Sequence, residues 1–186
     1  MKRLVLQSQK LRRLAFLGAA VLLTGAKPVP SHPDLGKAEG QCRPHETGPA
    51  FLVDIVGLKD HSGRLKLEVY PAVDGDFLAD DNILINQGKT FRRVDIAVPA
   101  DPVPRMCIRV PSAGAYALSV LHDRDTDRKF GFSVDGAAFS RNPRLGISKP
   151  KVSTVRVDAG PGLTPLRIVM NYRKGLLSFG PLGKTR

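Results

Sequence analysis

The sequence predicts an all-β protein built as a single antiparallel β-sandwich. Three observations predict it. Apolar residues recur at every second position in a series of short runs, and clusters of Gly, Pro, Asp and Asn separate those runs every dozen residues or so. No run sustains a helical period. Leu65, Leu67 and Val69 alternate with Arg64, Lys66 and Glu68, which describes a strand with one face in a core and one in water. Val94, Ile96 and Val98 alternate with Arg93 and Asp95, and Met106, Ile108 and Val110 with Arg105 and Arg109. Tyr116, Leu118 and Val120 alternate with smaller residues, and Leu166, Ile168, Met170 and Tyr172 close the series. Residues 51–58 and 152–157 are strands by composition, and 74–88 has room for a short helical turn. Each such strand must cover one apolar face, and two sheets stacked face to face do so while leaving the charged faces to solvent.

The chain opens MKRLVLQSQKLRRLAFLGAAVLLTGAK. A cationic start, an apolar run from Leu14 to Leu23 and the small residues Thr24-Gly25-Ala26 give residues 1–26 the layout of a secretory signal peptide. Residues 27–49 are rich in Pro and Gly and read as a flexible leader; 50–173 carry the sandwich; 174–186 read as a loose C-terminal tail. No later segment reaches the roughly 20 apolar residues of a membrane helix. The expected location is therefore outside the cytoplasm, in the periplasm or beyond the cell, and the exported form is not an integral membrane protein.

Charge and cysteine usage narrow the partners. The whole chain has formal charge +12. Removing residues 1–26 takes away five of the 29 basic residues and none of the 17 acidic ones, which leaves +7. That excess is dispersed, with Arg92-Arg93 its largest local cluster, so it favours solubility and weak attraction to anionic envelope surfaces. Nucleic acid would want a clustered basic stripe with interleaved aromatics, and none is present. Cys42 and Cys107, an even pair in an exported chain, read as a disulfide. Asp54 and Cys107 fall opposite the apolar sets of their strands, which suits a bridge near the rim.

The order of short motifs carries a resemblance. Gly57-Leu58, Gly63-Arg64-Leu65 and Val69-Tyr70 come first, followed by Pro111-x-x-Gly114-x-Tyr116-Ala117 running into His122-Asp123-x-Asp125-x-Asp127. Phe139-Ser140-x-Asn142-Pro143 and Ile168-x-Met170-x-Tyr172 follow. Over about residues 50–172 this resembles the exported bacterial domains grouped as domain-of-unknown-function family twenty-one forty-one. The resemblance implies a prealbumin-like or immunoglobulin-like sandwich and an envelope location, and it implies no activity. Arg128 stands where members of that family tend to have Gly, and Gly131-Phe132 where a later acid would be sought.

The segment 122–143 holds the candidate site. Asp123, Asp125 and Asp127 stand at alternate positions, the spacing at which carboxylates in a loop converge on Ca²⁺. A calcium site here would use these three, with Asp135, Asn142 or a carbonyl from another loop completing the shell. Against it, Arg128 occupies the position where an EF-hand turn needs Gly, and Arg124, Arg128 and Lys129 balance the three charges locally. The other reading is an Asx-turn loop kept soluble by its cations. His122, Asp123, Asp125, Asp127 and Asn142 are the ligand-loop candidates, with His122 read as a hydrogen-bonding residue at a strand end. Phe130, Phe132 and Phe139 gather nearby as a small core under the loop or as a stacking surface.

Catalytic patterns are absent. Gly131-Phe-Ser133-Val-Asp135-Gly136 misses the nucleophile-elbow spacing by one residue, and Ser148-x-x-Lys151 lacks companion motifs. No phosphate loop or zincin His pair occurs. The expected function is a non-catalytic exported module that binds an envelope protein or glycan and needs no cofactor. One alternative is a calcium-dependent glycan- or protein-binding domain using the 122–143 loop, and another is an unrecognised hydrolase.

Overall fold

The alternating runs become strands in the computed structural model, which describes residues 27–146, 148–176 and 178–183. The signal-peptide expectation lies outside the described residues. The elements in chain order are α1 (Lys37–Gly40), β1 (Ala50–Val56), β2 (Arg64–Pro71), α2 (Asp81–Asn86), β3 (Arg92–Ala97), β4 (Arg105–Arg109) and β5 (Gly114–Asp123). They continue with β6 (Gly136–Phe139), α3 (Val152–Val155), β7 (Arg156–Ala159), β8 (Leu163–Val169), β9 (Tyr172–Arg173) and β10 (Phe179–Gly180).

Two sheets face each other, as the alternation requires. One has the order β4-β1-β8; the other runs β3-β2-β5-β6, with β7 sharing the β5 edge with β6. Leu65, Leu67 and Val69 of β2 meet Tyr116, Leu118 and Val120 of β5, and together they pack on Phe51, Val53 and Ile55 of β1. All pairs within these two sheets are antiparallel except β1–β8, which runs parallel from Ala50↔Leu163 to Val56↔Val169. A parallel neighbour needs a long crossover rather than a hairpin, and nearly the whole domain intervenes between these two strands.

A second apolar cluster lies on the outer face of the larger sheet. Tyr70 and Ala117 point away from the sandwich core and are covered by Phe77 and Leu84 of the 72–91 segment and by Val152 and Val155. β5 is therefore buried on both faces from Tyr116 onward. The short helix expected within 74–88 is α2. The strand expected at 152–157 is instead a helical turn leading into β7: Val152 and Val155, three apart, both turn into this cluster. Arg93, half of the Arg92-Arg93 pair, is no surface charge. It donates to Glu68 at 2.8 Å and to Asp81 at 3.2 Å, tying β3 to β2 and α2.

The 27–49 leader packs onto the domain rather than running free. Arg93 Nη1 donates to the carbonyls of His32 and Pro33, and Asn86 exchanges two hydrogen bonds with Val29. Gly40 lies so close to β3 that a Cβ there would sit 2.8 Å from the Arg93 carbonyl oxygen. Cys42 then bonds Cys107 on the edge strand β4, with Cα atoms 5.8 Å apart. The tail also contributes structure, as β9 and β10 pair antiparallel. The disulfide closes a 65-residue separation, which on the chain-entropy model stabilises the fold by about 4 kcal/mol. Reduction is expected to lower the thermal midpoint by about 10 °C or more, measured by circular dichroism with and without reductant.

Candidate functional site

The 124–135 loop leaves β5 at Asp123 and returns at β6, so its two stems lie side by side at one end of the larger sheet. Strand alternation sends neighbouring residues to opposite faces. His122 continues the inward series of Tyr116, Leu118 and Val120, while Asp123 turns outward with Leu121.

His122 is fully buried and both ring nitrogens are engaged. Nε2 lies 2.8 Å from the Ser62 carbonyl, and Nδ1 lies 2.7 Å from the Tyr172 hydroxyl. A carbonyl only accepts, so Nε2 carries the proton and Nδ1 accepts from Tyr172. The Tyr172 oxygen in turn accepts from the Lys59 amide at 3.1 Å. Burial holds the imidazole pKa below its ordinary 6.5 and pushes the Tyr172 hydroxyl up to about 12, so this chain is neutral. His122 is thus a hydrogen-bonding residue of the interior, as the sequence reading has it, and it does not face the acidic cluster. Asn142 stays outside the cluster as well. Its amide donates to the Arg167 carbonyl and accepts from the Val169 amide at 2.7 Å, which fastens the following loop to β8.

The carboxylates do converge. One oxygen from each of Asp123, Asp125, Asp127 and Asp135 lies within 4.8 Å of the others. Oxygens around one Ca²⁺ at about 2.3–2.6 Å are separated by at most roughly 5 Å. Asp123 and Asp135 are buried, whereas Asp125 and Asp127 are exposed. Backbone hydrogen bonds set the positions. Asp123 Oδ2 accepts the Arg128 amide at 3.0 Å, Asp125 Oδ1 the Asp127 amide and Asp127 Oδ1 the Lys129 amide. Asp135 accepts from Arg124 and Gly131 at 2.9 and 2.7 Å, which joins the two stems. The loop is therefore an Asx-turn loop and a carboxylate cluster at once, so those two readings were never exclusive. Asp135, named only as an auxiliary ligand by the sequence, is one of its two buried members.

Two objections drawn from sequence fall here. Arg128 adopts the left-handed conformation (φ 69°) that the turn demands, so Gly is dispensable at that position. The local charge balance is not a balance of side-chain pairs. Arg124 is drawn to Asp60, 64 residues away, with Nε at 2.9 Å. Among the described residues, none of the four carboxylates is within ion-pair distance of Lys or Arg. Asp123 Oδ1 is buried and meets no hydrogen-bond partner within bonding geometry among the described residues. Burial raises the Asp123 pKa above its ordinary 3.8, and the charges of Asp135 and Asp125 raise it further.

The family model described as an uncharacterized protein conserved in bacteria, DUF2141, matches residues 53–165, a span that includes all four carboxylates. The chain belongs to this family. No curated protein matches it, and no solved structure matches it. DUF2141 membership agrees with the motif order read from sequence and leaves the molecular function to be argued from the site. Among the described residues, no helix is long and apolar enough to cross a membrane.

Proposed function

We propose that this DUF2141 protein is an exported, non-catalytic β-sandwich whose 122–143 loop binds Ca²⁺ and, so ordered, forms the end of the domain that engages an envelope ligand. One observation carries the reading: four carboxylates converge on one centre, and the buried Oδ1 of Asp123 has no hydrogen-bond partner among the described residues. An ion there supplies the partner that Asp123 Oδ1 lacks among the described residues and offsets the charge of the four carboxylates. Four oxygens are short of the six to eight that Ca²⁺ takes, so second carboxylate oxygens, carbonyls or water complete the shell. An all-oxygen donor set favours Ca²⁺ over the transition metals.

Export is supported by the N-terminal pattern and by the Cys42–Cys107 bond, which persists in oxidising compartments. The absence of catalysis is supported by His122, whose two nitrogens are already committed and which faces away from Asp123. Thermal unfolding in millimolar calcium and again in chelator tests the reading. At a hundred times its dissociation constant the ion adds about 2.7 kcal/mol, a midpoint rise of roughly 5–10 °C for a domain of this size. Magnesium, with its stricter octahedral demand, is expected to give a smaller rise. Equal midpoints in calcium and in chelator would refute the site.

A further inference from the structure

The outer face of the larger sheet is only half covered by the second apolar cluster. The other half opens as a pocket of about 360 Å³. Its floor is Leu121, Ala137 and Phe139; one wall is made by Phe130, Phe132 and Phe179. Phe132 stacks on Phe179 at 5.4 Å and Phe130 meets the same ring edge-on at 5.8 Å. Phe130 is nonetheless 50% exposed. The sequence reading of a small core under the loop fits Phe139, which packs on Phe77 at 5.7 Å, but not Phe130 or Phe132. A concave, mostly apolar lining with a few polar groups, at a volume above about 300 Å³, has the form of a small-molecule site.

The charges beside the pocket specify the ligand. Glu68 and Asp81 are matched by Arg93 and Lys66, since Arg93 binds both carboxylates and Lys66 lies 3.5 Å from Glu68. Lys149 and Arg173 remain, neither of them paired with a carboxylate among the described residues. The Lys149 ammonium donates to the Phe77 carbonyl at 3.1 Å and lies 3.5 Å from the Asp74 carbonyl. The Arg173 guanidinium lies 5.9 Å from the centre of the Phe132 ring. Unpaired cations beside an aromatic cavity are complementary to negative charge on an apolar body.

We infer that this pocket binds an anionic amphiphile, its apolar part against Phe130, Phe132 and Phe179 and its charge at Lys149. We infer further that the cation site controls it. Phe130 and Phe132 lie between Asp127 and Asp135, so an ion joining those carboxylates fixes both ends of the segment that forms the wall. The inference rests on the calcium reading and names the ligand class for it.

The test is a fluorescence titration with anilinonaphthalene sulfonate, an aromatic body with one anionic group, on the disulfide-bonded protein in calcium and in chelator. The expected result is one saturable site, at least about fivefold tighter in calcium, from which dodecanoate displaces the probe. Phe132→Ser, and independently Ala137→Leu, which fills the floor, are expected to weaken the probe at least tenfold while keeping the calcium-dependent rise in thermal midpoint. If that rise is present but the probe binds equally in both solutions, or binds Ala137→Leu as well as the unaltered protein, the pocket inference is overturned and the cation site stands. If the rise is absent, the calcium reading fails and this inference fails with it.

Discussion

Asp123→Asn is expected to unfold at a higher temperature than the unaltered protein in chelator and to lose its calcium response altogether. Most substitutions of buried polar residues destabilise, so the sign is diagnostic. Asp123 Oδ1 is buried and has no hydrogen-bond partner among the described residues, and the other three carboxylates of the cluster lie beside it. Its raised pKa means that the folded state holds this proton to a higher pH than the unfolded state does. Between the unfolded and folded values the native state binds more protons, so ionising the group subtracts stability as pH rises through that window. Above that window the cost is fully present. An Asn side chain is nearly isosteric and removes the charge. Its oxygen can keep the Arg128 amide bond that Oδ2 now accepts, while its NH₂ donates toward the neighbouring carboxylates from the position of Oδ1. Satisfying one buried orphan is worth about 1–3 kcal/mol, hence a midpoint rise of several degrees in chelator. The same change removes a ligand, so calcium should then add nothing. Asp125→Asn and Asp127→Asn act on exposed ligands and are expected to weaken the calcium response with little change in chelator. A purely structural Asp123 predicts the reverse: a lower midpoint for Asp123→Asn, and no calcium response to lose.

The sandwich was legible because burial on one face of a strand writes period two into the sequence. Leu65, Leu67 and Val69 all lie in the inter-sheet core. The second face of β5 was less legible. Its small outward residues Ala115, Ala117 and Ser119 do not look like core, yet Ala117 is covered by the 72–91 segment. The parallel β1–β8 pair has no local signature, since period two is the same in either orientation. At the site, the spacing of Asp123, Asp125 and Asp127 anticipated that their carboxylates converge. Asp135 was harder to place because only the return of the chain at β6 brings it back. Charge counting failed for a related reason. Counting Arg124 against its Asp neighbours assumes that sequence neighbours pair, whereas its guanidinium reaches Asp60 in the turn before β2.

That turn is where the largest single-residue effect is expected. Gly63→Ala should destabilise the protein by about 3 kcal/mol or more and abolish the calcium response even at temperatures where the chain remains folded. Gly63 has φ 75°, a left-handed conformation that costs a side chain roughly 1 kcal/mol or more. A Cβ there would also lie 2.0 Å from the Asp123 carbonyl oxygen and 2.7 Å from the Arg124 Cα. Both are backbone atoms, which cannot swing aside as a flexible side chain would, so either the turn or the end of β5 must move. Overpacking of this kind adds about 1–3 kcal/mol. The displaced backbone belongs to Asp123, which holds the orphaned oxygen, and the turn itself holds the Ser62 carbonyl that fixes His122 and the Asp60 carboxylate that draws Arg124 away. Urea unfolding with and without calcium separates the two effects: the midpoint in chelator reports the strain, and the calcium increment reports the site. A Gly63→Ala protein that kept the full calcium increment would show that the turn supports the fold without positioning the loop.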